Sequence, residues 1–174
     1  MFGTITYLET GTTRQQHAYS ILFDSKMMEI LTDYSPILVG TIPINIDITG
    51  SDLDLLCCWN NKSRFVLLLQ QSFSKYKSFR LTETIINNQE TVIANFEIDD
   101  FEIEIFGQSI PVKQQAGYSH MIIEQYILEQ KGEAFRQEVI TLKKEGYKTE
   151  PAFAKLLDLQ GDPYIELLKY PVSL

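Results

Sequence analysis

Leu38-Val39-Gly40-Thr41, followed about ten residues later by Ser51-Asp52-Leu53-Asp54-Leu55-Leu56, constrains this chain more than any other stretch. The first segment is an apolar strand ending in a small, backbone-permissive residue and a hydroxyl. The second opens with carboxylates at i and i+2 and then turns wholly apolar. Successive strand side chains point to opposite faces, so Asp52 and Asp54 share one face while Leu53 and Leu55 pack on the other. Paired carboxylates repel unless positive charge lies between them, and a divalent metal is the usual solution. Gly40 lets a phosphate approach the backbone, and the Thr41 hydroxyl can hydrogen-bond it.

Around this stretch the periodicity divides the chain. Residues 12–23 read as a helix with Ala18, Ile21 and Leu22 at helical spacing and Thr12 or Thr13 as N-cap. Arg14 and His17 on it could face the same site, and Arg64 near the start of a later helix could reach a phosphate, but exposed charges ordinarily need no special role. Ser25 opens a second helical segment ending near Leu31, and Pro36 starts the strand Ile37-Leu38-Val39. The spacer at 42–50 alternates apolar and polar and reads as extended. Residues 62–79 read as a helix with Phe65, Leu68, Leu69, Phe73 and Tyr76 on its buried stripe. An antiparallel section follows: strands at 79–86, 90–98 and 101–106, joined by turns at Asn87-Asn88 and Asp99-Asp100. From Pro111 the pattern is helical, broken at Gly132, Gly146 and Gly161-Asp162-Pro163, with Thr149 capping a short helix and Lys143-Lys144 closing a longer one. His120 lies in this region, and a lone histidine is more often a hydrogen-bonded structural residue than a catalyst.

The formal net charge of −8 over 174 residues lacks the basic stripe that displaces counterions from a nucleic-acid polymer, so the sequence disfavours such a partner and leaves a single nucleotide open. No apolar run is long enough for a membrane span, and the N-terminus lacks a signal peptide's basic and apolar regions. Cys57 and Cys58 are neighbours in an apolar strand, with no second pair to build a metal site. They read as reduced core residues of a cytoplasmic protein.

Gly40-Thr41-Ile42-Pro43-Ile44, Ser51-Asp52-Leu53-Asp54, Glu102-Ile103-Glu104-Ile105-Phe106, Gln115-Ala116, His120-Met121 and Thr149-Glu150-Pro151-Ala152-Phe153-Ala154 carry a resemblance over almost the whole chain. It resembles the nucleotidyltransferase superfamily typified by polymerase beta, and more closely a bacterial domain-of-unknown-function family within it. The superfamily motif is a hydrophobic residue, Gly-Gly or Gly-Ser, a spacer that is usually helical, then Asp-hydrophobic-Asp. Here Thr41 takes the second small position. The resemblance implies an α+β fold: a mixed β-sheet with the Asp-x-Asp strand at its centre, flanking helices, and a C-terminal helical segment that walls a nucleotide cleft. It also implies one domain over 1–174, with an α/β core at 1–110 and helices at 111–174.

For the site, the resemblance implies that Asp52, Asp54 and Glu104 are catalytic carboxylates holding Mg²⁺ or Mn²⁺. Gly40, Thr41 and Ser51 would contact the triphosphate of an NTP substrate. The acceptor would be a small-molecule or protein hydroxyl. The superfamily carries its third carboxylate on a strand beside the Asp-x-Asp strand. Glu104 is the choice because Phe106 continues its face into the interior; Glu102, on the same face, is its competitor. An outward-facing acidic pair on a half-exposed sheet is the other reading of Phe-Glu-Ile-Glu-Ile. Fold does not guarantee activity, so a silent nucleotide-binding or interaction module is the alternative. The nucleotide, the acceptor and the oligomeric state are left open.

Overall fold

The computed structural model describes residues 2–171; residue 1 and residues 172–174 of the expected 1–174 span lie outside the described residues. Residues 6–10 form a 3₁₀ turn, an element the sequence pattern did not announce. Helix α1 (Thr13–Asp24) then starts from a full capping box. Thr12 Oγ1 accepts from the Gln15 backbone N–H at 3.3 Å, and Gln15 Oε1 accepts from the Thr12 N–H at 3.0 Å. A short α2 (Met27–Ile30) leads to β1 (Ile37–Val39).

The spacer is not extended. Residues 41–45 form a turn, closed by Asn45 N–H to Ile42 O at 3.2 Å and Ile46 N–H to Thr41 O at 3.1 Å, with Asn45 left-handed at φ 56°. Its alternation is real, since Ile42, Ile44 and Ile46 are all buried, but a coil inside the core buries them rather than a strand. Strand β2 runs Leu53–Cys58, so Asp52 sits just before it. Helix α3 (Lys62–Phe73) is capped by Asn61, whose Oδ1 accepts from Arg64 N–H at 3.0 Å. It stops six residues short of the expected 79. Tyr76 continues the aromatic stripe outside the helix, stacking on Phe96 at 5.2 Å. Strands β3 (Lys77–Ile86), β4 (Gln89–Ile98) and β5 (Phe101–Gln108) follow as two hairpins, the first turning on left-handed Asn87 and Asn88.

The five strands form one mixed sheet in the order β1-β2-β5-β4-β3. The central strand is therefore β5, which carries Glu104, and not the Asp-x-Asp strand expected there. The β2–β5 pair is parallel, with Leu53 opposite Ile103 and Asp54 opposite Glu104; the other pairs are antiparallel. A parallel neighbour needs a long crossover, and α3 with the β3–β4 hairpin supplies it.

Helices cover both faces. Leu53, Leu55 and Cys57 of β2, with Ile103 and Ile105 of β5, pack on α1 and on Phe65, Leu69 and Phe73 of α3. The opposite face, with Val39 and Leu56, packs on α4 (Ala116–Lys144), α5 (Thr149–Leu156) and α6 (Pro163–Leu168). Gly132 interrupts α4 at φ 79°, ψ −172°, so the expected break is there. Thr149 is the first residue of α5 and makes no capping bond, because Lys148 occupies the cap position. No helix among the described residues is long and apolar enough to cross a membrane. The cysteines are free, Cys57 buried and Cys58 half-buried.

Candidate functional site

The antiparallel β1–β2 register sets Val39 opposite Asp54, so the chain leaves β1 beside the Asp54 carboxylate. Gly40 stands there at φ +82°, and a Cβ on it would collide with Asp54 Oδ2. Only glycine combines that backbone conformation with that approach. Parallel pairing then aligns Asp54 with Glu104. A cavity of about 600 Å³ opens above these residues, between the sheet, the tip of the β3–β4 hairpin and the α4–α5 pair.

Gly40, Thr41, Asp52, Asp54 and Glu104 all line this cavity. Ser51 is not among the lining residues. Its Oγ accepts from Ile48 N–H at 3.0 Å and stands 3.4 Å from Thr41 Oγ1, so it closes the loop that carries Asp52. Glu102 lies outside as well, paired with Arg80 at 3.1 Å. Glu104 is held from the neighbouring strand, its Oε2 accepting from Asn95 Nδ2 at 3.2 Å. Arg14 and His17 lie on the other face of the sheet, where they pair with Asp100 and Asp99, and Arg14 Nη2 is 3.4 Å from Ser51 O. Neither they nor Arg64 reach the cavity.

The electrostatics are severe. Burial, then the charges of Asp52 and Glu104, push the Asp54 carboxyl well above the usual range. Burial also raises Glu104, only partly offset by the Asn95 hydrogen bond, with Asp52 and Glu102 adding to the rise.

The helical wall carries a second group of polar residues, of which the sequence motifs include His120 and Glu150 but not Glu124. His120 Nε2 donates to Tyr164 O at 2.9 Å, since a carbonyl can only accept, and Nδ1 lies 3.4 Å from Glu150 Oε1. Burial alone would lower the His120 pKa, but the bonds to Glu150 and Tyr164 outweigh it and the net shift is upward. Glu150 moves down: burial opposes its charge, but His120 and its own backbone N–H hold it ionised. Glu124, one turn beyond His120, is pushed up to about 8 by burial and by Glu150. The signal available in the sequence was the stripe Ala116, Gly117, His120, Met121, Glu124, which lies on one helix face. Lys143 had no such signal. It is buried and donates to Ile46 O at 2.8 Å, fastening the spacer from a position 97 residues away. Arg136 does the same at Asn45 O, 3.2 Å.

A divalent cation is implied by the resemblance. No three His, Cys, Asp or Glu side chains are gathered into a metal cage among the described residues. The donor chemistry nevertheless fits. Mg²⁺ takes oxygen ligands, usually one or two carboxylates plus substrate phosphates, and Asp54 faces Asp52 and Glu104 across a repulsion that a cation relieves.

A family model described as Domain of unknown function (DUF4269) matches residues 20–170. The chain belongs to the DUF4269 family. No curated protein matches this DUF4269 chain. Solved structures do, at low identity. The Cid1 poly(U) polymerase with Mg 3′-dATP bound aligns at a TM-score of 0.56 and 11% identity, over 90% of this chain and 48% of that one. The same polymerase with MgGTP bound aligns at 0.53 and 12%, over 74% and 41%. A cytoplasmic RNA terminal U-transferase aligns at 0.52 and 12%, over 76% and 39%. The DUF4269 chain thus spans less than half the length of these enzymes, and what they share with it is the nucleotidyltransferase-like fold.

Proposed function

We propose that this protein is a metal-dependent nucleotidyltransferase that moves a nucleoside monophosphate from an NTP to an acceptor hydroxyl. The observation that carries this reading is the convergence of Gly40, Asp52, Asp54 and Glu104 on one cavity of a nucleotidyltransferase-like fold. Asp52 and Asp54, with Glu104, would hold Mg²⁺ or Mn²⁺, which when bound supplies charge stabilisation to the entering and leaving oxygens. Gly40 gives the phosphates access to the backbone and Thr41 offers them a hydroxyl, while Ser51 keeps that loop closed. The acceptor oxygen forms a bond to the α-phosphorus, the bond from that phosphorus to the β-phosphate oxygen breaks, and pyrophosphate leaves with its electron pair. The hydroxyl proton passes to the carboxylate group of the site.

The acceptor is a small-molecule or protein hydroxyl in this reading. RNA stays in play as well, because the similar enzymes are a poly(U) polymerase and an RNA terminal U-transferase, and so lend no support to excluding a polymer. A silent binding module is the second reading, favoured by the lack of Lys or Arg among the described residues lining the cavity.

The test is thermal stability with ATP, GTP, CTP and UTP, with and without Mg²⁺, alongside pyrophosphate release. A ligand at a hundred times its Kd adds about 2.7 kcal/mol of stability. A metal-dependent shift with one nucleotide, lost in Asp52→Asn together with pyrophosphate release, is the expected result. A shift without turnover would favour a silent nucleotide-binding module, and no shift with any nucleotide would defeat the enzyme reading and leave a degenerate interaction module or one that needs a partner.

A further inference from the structure

The cavity is acidic throughout. Asp52, Asp54 and Glu104 line its sheet side, Glu124 and Glu150 its helical side, and no Lys or Arg lines it among the described residues. A bound metal answers the charge of the sheet side. It leaves the helical side unexplained, and one residue there points to a ligand. Glu124 lines the cavity and is only 4% exposed, yet it makes no hydrogen bond or ion pair among the described residues. Gln115, 1% exposed, is spent on structure: its Nε2 donates to Cys57 O at 2.9 Å and Ile110 O at 3.1 Å, and its Oε1 is sealed from the cavity.

Buried polar groups are ordinarily hydrogen-bonded, so an unpartnered Glu124 on the cavity wall is a demand for a partner, and once it gives up its proton that partner must be a donor. The neighbouring groups leave it unmet. His120 is engaged by Glu150 and Tyr164 O, and Lys143, with its Nζ on Ile46 O, makes no ion pair with Glu124 among the described residues. An anionic ligand would meet repulsion here, and a neutral polyol would supply donors but no charge.

We propose that the α4–α5 wall is the acceptor subsite and that it takes a small acceptor carrying a primary ammonium group beside its reacting hydroxyl. The assignment rests on the preceding reading only in giving the nucleotide the sheet side. Glu124 receives the ammonium, and Glu150 stays on His120 to keep that wall in place. The groups facing Glu124 are His120 on its own helix, Lys143 beyond the Gly132 break, and Glu150 on α5; Asp47 and Asp52 face Lys143 in turn. With Glu124 held largely protonated near neutrality by burial, an arriving ammonium displaces that proton.

The experiment is calorimetric titration of the full chain, without nucleotide or metal, with glucosamine and the two-residue chitosan fragment against glucose and cellobiose. The amino compounds should bind saturably and their neutral counterparts should not. Heats measured in buffers of different ionisation enthalpy should report proton release at pH 7, shrinking toward pH 9 as Glu124 ionises unaided. Glu124→Gln should weaken amine binding about tenfold or more and abolish proton release, with circular dichroism confirming its fold; Glu124→Asp, which keeps the carboxylate, should retain part of the affinity. Equal binding of neutral counterparts, no binding of any compound, or unchanged affinity in Glu124→Gln would overturn the proposal. So would saturable Mg²⁺ binding that disappears in Glu124→Gln, which would make this wall a metal subsite. Amine binding in a protein that ignores every nucleotide would keep Glu124 as an amine site but remove the nucleotide reading and, with it, overturn the acceptor role. A nucleotide response without amine binding would do the reverse.

Discussion

Asp54 is crowded before any ligand arrives: Gly40 packs against its carboxylate, Glu104 stands opposite it across the parallel strands, and Asp52 adds charge from the cavity mouth. Its folded-state pKa lies above its unfolded value, so ionised Asp54 opposes folding near neutrality, and a neutral isostere relieves that opposition. Asp54→Asn should therefore raise stability by about 0.5–2 kcal/mol, the range typical of relieving a functional site. Nucleotidyl transfer should fall by about 10²–10³-fold, the effect of losing one group that stabilises transition-state charge. Urea unfolding and transfer of α-labelled phosphate measure the two. A destabilised Asp54→Asn would mean that the carboxylate is already compensated in the free protein. At this scale the sequence was most informative. Strand alternation put Asp54 and Glu104 on readable faces, and Gly40 was legible as a backbone-permissive position, though its packing against Asp54 was not. The choice between Glu102 and Glu104 needed the partners that strand pairing brings, Arg80 for one and Asn95 for the other.

At the level of elements, the α4–α5 wall is tuned by two titrations of the same sign. Glu124, at about 8 when folded against an ordinary 4.5, binds a proton that the unfolded chain has lost, so stability falls as pH rises from 4.5 to 8. While the folded state holds that extra proton, each pH unit costs about 1.4 kcal/mol. His120 is raised above 6.5 by its bonds to Glu150 and Tyr164. Its contribution is full below 6.5 and is lost as pH climbs through the folded value. Melting curves should therefore show wild type losing stability from pH 6 to 8. Glu124→Gln should flatten part of that slope and Glu124→Gln/His120→Gln more of it, the rest belonging to Asp54 and Glu104, whose carboxyls are raised as well; a slope unchanged in both would show that the α4–α5 wall does not titrate there. None of this was visible in the helix pattern. The i, i+4 spacing of His120 and Glu124 is compatible with a solvated face, and only the packing of α5 and α6 buries it. The spacer failed for a related reason. Its isoleucines alternate as in a strand, but Lys143 and Arg136 take its carbonyls and hold it as a turn.

Across the whole molecule, the expected division into an α/β core at 1–110 and helices at 111–174 describes the order of elements better than the way they are held together. Val39, Ile44, Ile46 and Leu56 from the first part share a core with Val112, Met121, Phe153 and Leu167 from the second. The cavity is likewise closed only where the sheet meets α4 and α5. Periodicity could find the strands and helices, but it carries no information about partners far apart in the chain. That is why the sheet order, with β5 at its centre, had to come from pairing. Removing 111–174 would expose the second apolar face and leave the Cys57 and Ile46 carbonyls without Gln115 and Lys143. Unpaired buried acceptors cost about 1–3 kcal/mol each, in addition to the lost apolar burial. The 1–110 fragment should therefore fail to fold cooperatively, whereas the full chain should unfold in one transition, coincident by circular dichroism and by fluorescence of Trp59. A fragment that melts cooperatively would make the sheet half an independent unit, with the helical wall docked onto it. In that case the acceptor side of the cavity would be free to move relative to the nucleotide side, and the two halves of the site should respond separately to their ligands.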